Sequence, residues 1–234
     1  MAKKTKKKLS EQTTQAEKSV GEILSKTDQF VEKYLKQILT GLVVIVVIVV
    51  GVIAFRHYYL IPKEQNAENA LFPGQDYFAN QQWEIALNGD DVDYIGFPGI
   101  ADEYRGTRSA NLAKAYAGLC LYQLGDYEEA LKTLKSYKGK DRLFAAQIIG
   151  AIGDCEVNLD NVKEGIAQFR KAADLANSSL LSPIYLRKAA NACESLGEYK
   201  EALDIYTTIQ SKYPQSPEAA SIEKYIERAK IMMQ

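Results

Sequence analysis

The sequence predicts an all-α protein, with one membrane-spanning helix near its start and a stack of helical hairpins after it. Three observations carry this prediction. Residues 38–55, ILTGLVVIVVIVVGVIAF, are 18 consecutive positions without a charge, and Thr40 is their only polar side chain. The octapeptide LGDYEEAL at 124–131 returns as LGEYKEAL at 196–203, a separation of 72 residues. Beyond the apolar run the chain is Ala-rich and Tyr-rich at helical spacing, and it almost lacks the apolar-polar alternation of strands.

A helix rises about 1.5 Å per residue, so the apolar run nearly crosses a hydrocarbon core of roughly 30 Å. Tyr58, Tyr59, Leu60 and Ile61 extend it, and Arg56 reaches back to the headgroups, giving a transmembrane helix over 38–61. A buried strand is the rival for a Val- and Ile-rich run, but strands rarely exceed about ten residues. A cleaved leader fits poorly, because 37 residues precede the run and no small-x-small site comes before FRHYYLIP. Nine Lys precede the span, whereas only Arg56 and Lys63 lie close behind it. That asymmetry predicts a cytoplasmic N-terminus and an exported C-terminal domain. Residues 1–37 carry nine Lys against five acids, net +4, and residues 64–234 carry 18 Lys and Arg against 25 acids, net −7.

In chain order, residues 1–12 read as a disordered basic tail, with KKTKKK serving topology rather than nucleic-acid binding. Residues 13–37 read as a cytoplasmic juxtamembrane helix. Its apolar positions Val20, Ile23, Leu24, Val31, Tyr34 and Leu35 face lipid or a partner. Pro62 should end or kink the membrane helix. Residues 62–110 read as a linker and a degenerate first unit, 111–215 as three helical-hairpin repeats and 216–234 as a capping helix.

Each repeat has the same local logic. Gly125 and Gly197 fit the left-handed position that ends a first helix, and a degenerate middle copy, LDNVKEGI at 159–166, puts Asp160 there with Asn161 as the cap. Asp126 with Glu129 reads as a capping box. Small residues recur on the first helices at Ala117-Gly118, Ile152-Gly153 and Ala189-Ala190. On the second helices Ala130, Gly165 and Ala202 are each followed four residues later by a bulky partner: Leu134, Phe169 and Tyr206. Such pairs share a helix face and fill a seam. Upstream, Phe97, Ile100 and Tyr104 align with Tyr206, Ile209 and Tyr213. Ile95 to Tyr104 therefore reads as the second helix of the degenerate unit, its first helix falling around Gln75 to Leu87 with Trp83. Downstream, Ser216 as N-cap and Pro217 as first residue start the last helix, with Ile222, Tyr225, Ile226 and Ala229 facing the stack.

These positions resemble the tetratricopeptide repeat family over residues 111–214, implying a tetratricopeptide-like helical solenoid of about three and a half repeats plus a capping helix. The full layout includes ALNGD at 86–90 and FPGIADEYRGTRSANLAKAYAGLC at 97–120. It is similar to YfgM-type proteins, ancillary subunits of the SecYEG translocon. That resemblance implies a single-pass protein of the bacterial inner membrane with a periplasmic domain. Its implied partners are the SecYEG translocon, periplasmic folding factors and emerging secreted chains, with lipid contacted through the one span. A structural scaffold of another envelope assembly, or a cytoplasmic adaptor if the topology is inverted, are the alternatives.

Enzyme chemistry finds little material. His57, the only His, sits beside the membrane, which excludes a Ser-His or Cys-His nucleophile and the usual zinc sites in the exported domain. Cys120, Cys155 and Cys193 fall four or five residues before the turn of a repeat, where a small apolar side chain packs, and they read as buried free thiols. Three unpaired thiols are the best sequence argument against an oxidising compartment. Asp90, Asp91, Asp93 and Asp102 match a calcium loop poorly, because Ile95 takes a ligand position and Pro98 stiffens the centre. No catalytic residue, metal ligand, cofactor, nucleic acid or small-molecule substrate is expected. The binding surface is expected on the concave face of the first helices, with Tyr116, Leu119, Tyr122 and Gln123, then Gln147, Asp154 and Asn158, then Arg187, Asn191 and Glu194. An ordinary solvated face is the alternative reading. Tetratricopeptide carboxylate clamps use basic and Asn side chains, but Ala115, Leu119, Ala151 and Ile184 occupy those sites and only Lys188 fits.

Overall fold

The computed structural model describes residues 34–37, 39–90 and 92–234, and the basic tail, most of the juxtamembrane segment, Ile38 and Asp91 lie outside them. The described residues contain helices and no strands, in two units, residues 1–59 and 60–234.

In the first unit, residues 39–55 form α1. Its Leu, Val, Ile and Phe side chains are exposed, as lipid-facing groups are. The Thr40 hydroxyl donates to the Lys36 carbonyl at 2.7 Å, so the one polar group of the run is satisfied within its own helix. Among the described residues one helical stretch is long and apolar enough to cross a membrane, and its apolar window is wholly unburied.

The second unit begins with α2 (Ile61–Ala79), preceded by a π-helical turn at Arg56–Leu60. Pro62 therefore does not end a helix. It lies at the start of α2 directly after the π turn, with Leu60 still in the αR conformation, so the helical path continues through it. The expected first helix around 75–87 is also corrected. α2 stops at Ala79, Gln81 adopts φ 57° and a short α3 (Trp83–Asn88) follows, so the segment 75–87 is split between two helices. α4 (Gly96–Glu103) is a helix inside the expected 95–104 segment, and Phe97 and Ile100 on it are fully buried.

Three hairpins follow: α5 (Arg108–Gln123) with α6 (Tyr127–Ser136), α7 (Arg142–Asn158) with α8 (Val162–Ala176), and α9 (Leu181–Ser195) with α10 (Tyr199–Lys212). Their turns are one motif used three times. Gly125, Asp160 and Gly197 take φ of 85°, 62° and 74°. The N–H groups of Asp126, Asn161 and Glu198 donate to the carbonyls of Leu121, Glu156 and Cys193 at 3.0, 2.8 and 2.9 Å. That six-to-one bond closes a Schellman turn and satisfies carbonyls the helix end leaves over. Asp126 Oδ1 accepts from the Glu129 N–H at 3.2 Å, as a cap should. Asn161 does not cap α8, since its side-chain amide donates to Glu156 Oε2 at 3.1 Å instead.

The seams follow the small-to-large pairs. A Cβ added at Gly118 would lie 2.7 Å from the Leu134 side chain, and one at Gly153 would lie 2.7 Å from the Phe169 ring. Backbone and side chain meet there only because hydrogen replaces a methyl. Leu134, Phe169 and Tyr206 are correspondingly buried, at 1%, 3% and 0% exposure. The closing helix starts later than expected. Ser216 caps a short turn, its Oγ accepting from the Ala219 N–H at 3.2 Å, and a 3₁₀ turn at Ala219–Ser221 leads into α11 (Ile222–Met232). Ile222, Ile226 and Ala229 are buried against α10, which is the expected face.

Candidate protein-binding groove

The first helices α5, α7 and α9 carry every residue expected to line the groove. Tyr116, Leu119 and Tyr122 are half-buried on α5, whereas Gln123 is exposed. Tyr116 sits in an aromatic run. Its ring stacks on Phe97 at 5.0 Å, meets Phe78 edge-on at 5.0 Å and lies 6.3 Å from Phe144. Tyr122 tilts against Tyr127 at 5.8 Å, and burial, with Asp154 nearby, raises its hydroxyl pKa.

The polar members are mostly engaged within the domain. Lys188 bridges α9 to α7 by donating to both Asp154 carboxylate oxygens at 2.8 and 2.6 Å, and its ammonium lies 5.6 Å from the Phe169 ring centre. The one clamp-compatible cation is thus neutralised in place. Arg187 pairs with Glu218 at 4.0 Å, and Glu194 accepts both arms of Arg228 from α11. The carboxylate of Glu194 holds the Arg228 pKa above its ordinary value. Asn191 Oδ1 accepts from the Tyr206 hydroxyl at 2.9 Å, and burial pushes that phenol up to about 12. Asn158 returns its amide to the Asp154 carbonyl at 2.8 Å. Gln123 and Gln147 remain as exposed polar groups of the set. The structure therefore brings Asp154, Arg187 and Glu194 into a series of ties between consecutive units and Asn191 into a bond within its own hairpin, while Tyr116, Leu119 and Tyr122 form an apolar end.

The three cysteines are free and fully buried. Burial pushes the thiols of Cys120 and Cys155 up to about 12 and that of Cys193 up to about 11. They are neutral packing groups, not nucleophiles. Cys193, Glu198 and Glu201 bring ligand atoms within 4.8 Å of one another, but Glu201 already pairs with Arg170 at 2.5 Å and Glu198 with Lys163 at 3.9 Å. In the acidic loop, Asp90 Oδ1 accepts from the N–H groups of Val92, Asp93 and Tyr94 at 3.0, 3.0 and 2.9 Å, and its Oδ2 accepts from the Tyr77 hydroxyl at 2.8 Å. Those donors, the Tyr94 N–H foremost, lower its pKa to about 2, so this carboxylate closes a turn.

Sequence reasoning missed the cations near Tyr116. Arg108, Lys138 and Lys140 border a recess that also contains Tyr116, Tyr137 and Phe144. They come from segments about 30 residues apart, and only the fold unites them. Asn111 Oδ1 accepts from the Lys138 N–H at 3.0 Å and holds the two segments together.

Comparison with known proteins agrees with the geometry. Residues 151–217 and residues 116–141 match the tetratricopeptide repeat. No curated protein matches the chain significantly. Within the second unit, the helices from the later part of α5 through α10 carry these repeat matches, and the repeat's usual work is contact between proteins.

Proposed function

We propose that this chain is a non-enzymatic, membrane-anchored interaction module, accessory to the Sec translocon and to the periplasmic folding of secreted proteins. The observation that carries the reading is the union in one chain of a membrane-length apolar helix and tetratricopeptide hairpins. The Lys excess before the span supports a cytoplasmic N-terminus and a periplasmic domain at the bacterial inner membrane. A tether raises the effective concentration of a binding face to the millimolar range, so weak contacts with emerging chains become frequent. The face carried by α5, α7 and α9 makes those contacts, with Tyr116, Leu119 and Tyr122 as its apolar end and Gln123 and Gln147 as free hydrogen-bonding groups. Buried thiols with raised pKa values resist oxidation, which answers the objection that free cysteines raise against export.

The test is photo-crosslinking from Gln123 and Gln147 in the full chain in cells. Adducts with translocon subunits or newly exported polypeptides are the expected result. Adducts with one unrelated envelope complex alone would refute the translocon role. That outcome would favour a structural scaffold, a reading that draws on the ion pairs already fixing Asp154, Arg187 and Glu194 in place.

A further inference from the structure

We infer that the recess between the N-terminal ends of α5 and α7 is a docking pocket for an acidic peptide segment bearing an aromatic side chain. It encloses about 750 Å³, within the usual range of roughly 300–1,000 Å³ for pockets that hold a ligand group. Leu112, Tyr116, Tyr137 and Phe144 form its apolar walls, and all four are half-buried. Phe144 lies 6.3 Å from Tyr116 and meets Tyr137 edge-on at 5.5 Å, while Tyr116 stacks on the fully buried Phe97. The aromatic run thus starts in the core and ends at an open slot, where a further ring finds edge-to-face partners.

The rim supplies the charge. Arg108, Lys138 and Lys140 are exposed, and among the described residues none of them takes part in a salt bridge. Asp141 is the one acid in the lining, and its Oδ1 is engaged in accepting from the Phe144 N–H at 2.7 Å as the N-cap of α7. Three cations against one carboxylate leave the lining itself at +2, and Glu64, which accepts from the Arg108 N–H at 2.7 Å, offsets part of the Arg108 charge, in a stretch, residues 64–234, that sums to −7. The loop that presents the lysines is fixed by the Asn111 to Lys138 hydrogen bond. It is also fixed by the Tyr137 ring lying over Gly139, where any side chain would overlap the phenol. A surplus of one to two charges, carried by Lys138 and Lys140, suits a short segment with two carboxylates. A nucleic acid, with one charge per about 1.7 Å of duplex, would meet the acidic remainder of the domain.

This inference rests on the interaction-module reading and adds the chemistry of the client. The test uses the full chain in mild detergent and the fluorescence anisotropy of a labelled peptide with one Phe between two Asp. Two control peptides replace the Phe by Ala or the Asp by Lys. The Asp-Phe peptide is expected to bind about tenfold or more tighter than either control, and to weaken as salt is raised. K138E/K140E should lower its affinity about tenfold while leaving the thermal midpoint unchanged, because both side chains are exposed and unpaired. Equal binding of the Lys or Ala peptide would overturn the inference. So would indifference to K138E/K140E, or equal competition by anionic vesicles or an oligonucleotide. Translocon adducts from Gln147 without peptide discrimination would sink this inference alone. Peptide discrimination without those adducts would sink the translocon reading alone.

Discussion

At Gly153 two opposing effects can be weighed on one methyl group. Alanine in place of a mid-helix glycine gains roughly 1 kcal/mol of helix propensity. The same Cβ would lie 2.7 and 2.8 Å from ring carbons of Phe169, which is 3% exposed and has nowhere to go. Overpacking of that kind costs about 1–3 kcal/mol, so net of the propensity gain Gly153→Ala should destabilise the domain by up to about 2 kcal/mol in urea unfolding. A stabilising result would mean that the seam between α7 and α8 is looser than drawn. Asp90 gives a pH-dependent case. Its folded pKa of about 2 lies below its ordinary value of 3.8. The stability it contributes is therefore fully present above 3.8 and is lost as pH falls from there toward 2. Asp90→Asn should flatten the stability profile in that window and leave its shape near neutrality unchanged, as acid titration followed by circular dichroism would show. The small-to-large pairs were legible because repetition exposed them three times. The diversion of Asn161 to Glu156 was not, since the same local turn offers the Asn side chain both the α8 cap and the Glu156 carboxylate.

Among the elements, α5 has a start assembled from two places. The Thr107 hydroxyl accepts from the Ala110 N–H at 3.0 Å, as a local cap does. Glu64, from the first turn of α2, accepts from the N–H groups of Arg108 and Ser109 at 2.7 and 2.9 Å and from the Ser109 hydroxyl at 2.8 Å. Burial works to raise the Glu64 pKa, but these donors outweigh it and the net shift is downward. Its carboxylate also sits at the positive end of the helix dipole. Glu64→Ala should therefore cost about 1 kcal/mol and speed amide exchange in the first turn of α5, with α9 and α10 unaffected. Uniform exchange across the domain would show that Glu64 is not a local tie. Residues 62–106 were the least legible elements. Pro62 read as a breaker, yet it lies in the first turn of α2; Pro73 also lies within that helix, and Gly74 makes room for Tyr94 and Phe97. Ser216 was read as the start of the last helix because a Ser-Pro pair is a cap signal in both α- and 3₁₀-turns, and sequence does not separate the two.

For the whole molecule, the composition already divided a basic, apolar N-terminal part from an acidic helical one, because charge and length are properties that folding does not alter. The expected groove was legible as a face but not in its chemistry. Whether Lys188, Arg187 and Glu194 are free depends on Asp154, Glu218 and Arg228, which lie about 31 to 34 residues away in the chain. The central claim is that tetratricopeptide hairpins are held on the export side of a membrane, where emerging chains pass. The most direct measurement is digestion of cells with permeabilised outer envelopes by a protease that cannot cross the inner membrane, probed with antibodies to residues 64–234 and to residues 1–37. Degradation of the 64–234 signal with survival of the 1–37 signal is the predicted result. Protection of residues 64–234 until the inner membrane is dissolved would contradict it.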